Sequence, residues 1–83
     1  MSTTQKPFAL GMATEGEQLQ IVALQAGRTL DKRLTDLGLN IGSEIRVVQR
    51  QGAGMLVERD ATRIAVGGGM AMKIMVVHIG DDG

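Results

Sequence analysis

The sequence has no cysteine, no tryptophan and no tyrosine, and it has a single phenylalanine, a single proline and a single histidine. Without cysteine there is no disulfide, zinc ribbon or dithiol redox motif. A chain without covalent staples fits a reducing compartment, so a cytoplasmic location is expected. With Phe8 as its one aromatic, the chain lacks the stacking platform of single-strand nucleic-acid binders, and its core has to be aliphatic. Nine basic and nine acidic residues give a formal net charge of zero. That balance offers no general electrostatic attraction for nucleic acid. It also leaves little repulsion between copies, so weak self-association into a homo-oligomer is expected. No apolar run reaches the roughly 18 residues of a membrane span, so direct membrane insertion is not expected. Residues 1–18 lack the basic start and apolar run of a secretory signal.

What is present suits one small domain. The chain has 83 residues, of which 43% are hydrophobic. A domain of this size buries only about 60% of the surface its unfolded chain exposes. Residues 1–7 read as a flexible lead-in, 8–79 as the folded domain and 80–83 as a polar tail. Phe8, Leu10 and Met12 alternate with smaller residues and predict a short edge segment. Gln18–Leu24 predicts a strand with Leu19, Ile21 and Ala23 on one face and Val22 and Leu24 on the other. Leu30, Leu34 and Leu37 then fall at helical spacing. They predict a short helix over Thr29–Leu37, started by Thr29 or Asp31 and ended by Gly38. Such a helix is shorter than the ~12–15 residues at which isolated helices become marginal in water, so its three leucines must dock on something.

Glu44–Arg50 alternates, with Ile45 and Val47 facing one way. Gly52-Ala53-Gly54 supplies a hairpin tip. Met55–Arg59 and Arg63–Val66 complete a three-strand meander across a tight Asp60-Ala61-Thr62 connection. Gly67-Gly68-Gly69 reads as the most flexible point, Met70–Lys73 as a helical turn and Ile74–Ile79 as the closing strand. The fold class is mainly β: a small, closed or nearly closed barrel with one short α-helix after the first strand and a helical turn before the last. Closure would remove exposed edges that invite aggregation.

No nucleophile and base stand together in the sequence, and the chain is not expected to be an enzyme. The glycine triplet lacks the lysine and hydroxyl residue of a phosphate loop. His78 with Asp81 and Asp82 offers imidazole and carboxylate to a divalent transition metal, iron or zinc. The plainer reading is a strand-end histidine followed by a solvated tail. Arg46, Arg50, Arg59 and Arg63 all lie in the meander and would suit an acidic protein partner, or simply solvate its outer face. In the closing strand Ile74 and Val76 lie on one face while Met75 and Val77 lie on the other, so the second face needs a cover. Met70 and Met72 add a soft, adaptable surface. Met70, Met72, Met75, Val77 and Arg63 are therefore the candidate partner contacts.

Two blocks carry a resemblance. Arg33-Leu34-Thr35-Asp36-Leu37-Gly38-Leu39, followed by Gly42 and the strand Ile45-Arg46-Val47-Val48, resembles the hallmark of FeoA proteins. Downstream, Arg63-Ile64-Ala65 and then Ala71-Met72-Lys73-Ile74-Met75-Val76 is similar to that family's second block. The resemblance spans roughly Phe8 to Ile79. It implies an SH3-like barrel without catalytic residues or a required cofactor. It also implies a cytosolic accessory role in bacterial ferrous iron transport, through contact with the FeoB membrane transporter and its guanine-nucleotide-binding domain. A similar barrel forms the C-terminal domain of metal-dependent repressors, which makes a transition-metal-binding sensor module the alternative. The sequence departs from the family pattern at the Gln51-Gly52-Ala53-Gly54 tip and in the glycine-rich connection before Met70.

Overall fold

The computed structural model describes residues 6–25 and 27–79, the side chains of residues 28–31 excepted. Of the expected lead-in and tail, residues 1–5 and 80–83 lie outside the described residues.

Phe8–Ala9 forms β1, and the chain then turns through a 3-10 helix at Leu10–Met12. Next come β2 (Gln18–Leu24), α1 (Arg28–Asp36), β3 (Glu44–Gln51), β4 (Gly54–Arg59), β5 (Thr62–Val66), α2 (Gly68–Ala71) and β6 (Ile74–His78). The strands pair in the order β1-β6-β2-β3-β4-β5, and every pairing is antiparallel. The expected closed barrel is thereby corrected. The sheet is open, and among the described residues β1 and β5 are its two edges. Among the described residues before β2 only Phe8 and Ala9 pair as a strand, since the 3-10 turn then takes the chain out of the sheet and sends Leu10 into the core.

The inner face of the curled sheet is aliphatic. Leu19, Ile21, Ile45, Val47, Val57, Ile64, Ile74 and Val76 are all buried there, with Leu10, Leu34 and Leu39 closing over them. Among the described residues no polar or charged side chain is buried. The core therefore gains from apolar burial without the cost of satisfying polar groups out of water.

Two bulges reset the alternation. The β2–β6 register slips between Ile21 and Ala23, and β3–β4 slips between Val47 and Gln49. An extra residue turns every later side chain to the opposite face. Past the first bulge Leu24, rather than Ala23, packs against the core.

α1 starts at Arg28 with Gly27 as its N-cap, so neither Thr29 nor Asp31 stands at the capping position. Its end is a Schellman motif. Gly38, at φ +87°, donates its N–H to the Thr35 carbonyl, and Leu39 donates to the Leu34 carbonyl. The reversal at Gly38 brings Leu39 inward beside Leu34 and leaves Leu37 41% exposed. The docking surface is thus Leu34 with Leu39, not Leu34 with Leu37. The Leu30 side chain lies outside the described residues.

The glycine triplet departs from expectation as well. Gly68 and Gly69 belong to α2, which begins two residues before the expected turn at Met70–Lys73. A side chain at Gly68 would run into the backbone of Ala53 at the β3–β4 hairpin tip. Glycine there permits the close approach of helix to hairpin rather than flexibility.

Candidate functional site

His78 ends β6, and its Nε2 lies 2.7 Å from Glu17 Oε2. The other oxygen of Glu17 accepts the backbone N–H of Thr14 at 2.8 Å. That N–H bond is the largest influence and, together with a lesser pull from His78, holds the Glu17 carboxyl below its ordinary pKa against the opposing effect of burial. The imidazole also lies over Phe8, with ring centroids 4.9 Å apart. Histidine and the one aromatic thus fasten the β1 edge to the β2 approach. Of the expected metal ligands, His78 is half-exposed and already engaged by Glu17. Asp81 and Asp82 lie outside the described residues. Among the described residues no three histidine, aspartate or glutamate side chains stand together as a metal site would require. Glu17 was not a candidate in the sequence, since it stands 61 residues from its partner.

The expected partner contacts divide between two places. Met72 follows α2 and is 50% exposed. Its sulfur lies over Gly11, where a Cβ would sit 2.6 Å from Sδ. Met12, next in the chain, is 67% exposed. Two exposed methionines thus stand on the segments that meet here, one after α2 and one in the 3-10 turn. Met70 is partly buried against the core, and Met75 and Val77 are half-buried on the interior strand β6. Arg63 sits apart from them, on the β5 edge.

The four meander arginines do not act as one patch. Arg46 pairs with Glu58, and Arg59 lies 3.5 Å from Asp60. Arg50 turns back across the sheet, where its Nη1 donates to the carbonyls of Gly11 (2.9 Å) and Ala13 (2.7 Å). Its backbone N–H donates to Glu15 Oε2 at 2.9 Å. Arg63 adds a longer-range pull that helps Arg46 hold the Glu58 carboxyl below its ordinary pKa. Beside this ladder, Gln18, Glu44, Arg46, Glu58 and Asp60 line an open depression of about 180 Å³. Its lining holds three carboxylates and one guanidinium, so it is net acidic even with Glu58 paired to Arg46.

The FeoA domain family model matches residues 8–78. A Methanocaldococcus jannaschii protein named as an Fe(2+) transport protein A is 38% identical over 69 residues, covering 83% of this chain and 84% of that one. A crystal structure of an iron uptake regulatory protein (FeoA) aligns with a TM-score of 0.79 at 24% identity, covering 86% of this chain and 95% of that one. A manganese-dependent transcriptional repressor in complex with manganese aligns with a TM-score of 0.84 at 20% identity. That match covers 92% of this chain but only 38% of the repressor. At these identities the two structures show a common SH3-like fold.

Proposed function

This chain belongs to the FeoA family, and on that premise we propose that it serves ferrous iron uptake as a cytoplasmic, non-enzymatic accessory protein. It acts by contact with a FeoB-type membrane transporter, at or beside that transporter's guanine-nucleotide-binding domain. The observation that carries this reading is the family match across residues 8–78. The exposure of Met12 and Met72, on segments that meet, supports it. Thioether side chains adapt to a partner's shape, and burying an exposed methionine contributes favourably to association. Met72, held over Gly11, is the centre of the proposed contact, while Met70 is partly buried against the core. No cofactor is needed for such a role.

The test is calorimetric titration of the chain into the soluble nucleotide-binding part of such a transporter, with nucleotide hydrolysis followed in parallel. Saturable binding is expected, and Met72→Asp weakens it about tenfold while the chain still unfolds in one cooperative transition. The reading fails if the unmodified chain neither binds nor alters hydrolysis.

A further inference from the structure

The β5 edge carries an inference beyond the methionine surface and independent of it. Arg59 and Thr62 close a two-residue hairpin around Asp60 and Ala61, both at positive φ, as in a type I′ turn. The closing pair of such a hairpin is hydrogen-bonded, and bonded pairs then alternate along the ladder. Thr62, Ile64 and Val66 therefore exchange their backbone bonds with β4. The Val66 carbonyl indeed lies against Gly54. By the same alternation the N–H and C=O groups of Arg63 and Ala65 point away from the sheet. Both residues are exposed, and among the described residues no strand pairs with that side of β5. α2, which follows β5, packs on β4 and on the 3-10 turn instead.

The side chains above that edge have a definite charge order. Arg46 stands opposite Glu58, and Glu58 stands opposite Arg63. The outer face thus carries a cation, an anion and a cation on successive strands. Glu58 gives its ion pair to Arg46. The position that a further strand would place beside Arg63 is complementary to a carboxylate, because opposite charges facing each other across strands stabilise pairing. We propose that the β5 edge binds an extended protein segment by strand addition, with an acidic residue of that segment facing Arg63. A second copy of this chain fits less well. Antiparallel pairing of two β5 strands sets Arg63 opposite Ala65, Gly67 or the other Arg63, and none of these supplies an anion. A lone cation on an edge therefore disfavours self-pairing while leaving the edge open to an acidic strand.

The test uses two short capped peptides of alternating threonine and valine, one with a central glutamate and its twin with lysine there. Amide hydrogen exchange and NMR shifts of the whole chain report the site. The glutamate peptide is expected to slow exchange at the Arg63 and Ala65 amides and to bind roughly fivefold more tightly than the lysine peptide. Arg63→Glu reverses that preference. Ala65→Pro removes an outward donor that β4 does not use, so binding is lost while the sheet persists. If Ala65→Pro fails to fold, the charge reversal decides alone. Equal binding of both peptides, or no protection at Arg63 and Ala65, overturns the proposal. So does sedimentation showing that the unmodified chain dimerises through this edge and that the glutamate peptide does not compete.

Discussion

At one edge of the sheet β1 offers two residues before the chain turns away, whereas at the other β5 runs for five. The short edge is secured by the chain's own polar groups. Arg50 ties the carbonyls of Gly11 and Ala13 to the end of β3, and Glu17 and His78 close the adjoining loop. The long edge is shaped by a hairpin that holds Ala61 at φ +68°, and its outward amides belong to exposed residues. An open sheet thus handles its two ends by different means. One is shortened and clasped, and the other is left to its charge pattern.

Breaking the clasp should have the largest effect. Arg50→Met keeps much of the aliphatic stem but removes the donors to Gly11 and Ala13. A cost of about 2 kcal/mol is expected, since hydrogen bonds from a charged group are worth more than neutral ones. Urea unfolding measures it. Native-state exchange should localise it, with the β1 amide that bonds to β6 exchanging faster and the β5 amides that bond to β4 unchanged. Equal acceleration at both edges would show that the clasp acts on the whole fold and that the two ends are not independent.

The β5 side can be sharpened in the opposite direction. A non-glycine residue in the left-handed region costs about 1–2 kcal/mol. Part of the gain on replacing it with glycine is offset by the greater freedom of the unfolded chain. Ala61→Gly is therefore expected to stabilise the protein by about 1 kcal/mol. For a domain of this size that raises Tm by about 5 °C, measurable by calorimetry. A fall in Tm would mean that the hairpin does not hold Ala61 in the conformation described.

These features also mark how far the sequence was readable. The alternation of Ile45 and Val47 and the glycine turns around them reveal an antiparallel, mainly β domain, because period-2 burial and tight turns are local properties. The family blocks are equally local. The bulges at Val22 and Val48 are not readable, since each extra residue is an ordinary valine that a regular strand would also accept. Failure to close is hidden for a similar reason. Phe8, Leu10 and Met12 alternate like a strand, but Leu10 is drawn inward by a cavity that exists only once the other strands have assembled. Leu37 and Leu39 exchange roles because the Gly38 reversal, not helical spacing, decides which leucine faces the core. At the candidate site, Met72 was visible as an extra methionine. Its neighbour Met12 and the Glu17–His78 pair were not, because they depend on contacts distant in sequence.

The smallest effect concerns that last pair, and its sign follows from linkage. Glu17 is held below the ordinary carboxylate range in the folded chain, first by the Thr14 N–H and then by His78. A group whose folded pKa is depressed contributes stability above its unfolded pKa, and loses that contribution as pH falls through the folded value. Glu17→Gln removes the charge at every pH. The variant should therefore be less stable than the unmodified chain near neutral pH, by at most about 1 kcal/mol for a partly exposed pair. The difference should vanish once acid has protonated Glu17 in both states. Urea midpoints of the two proteins, compared from neutral pH down through the carboxylate range, test this directly. A gap that stays constant with pH would show that Glu17 fastens the clasped edge through hydrogen-bond geometry alone, with no contribution from its charge.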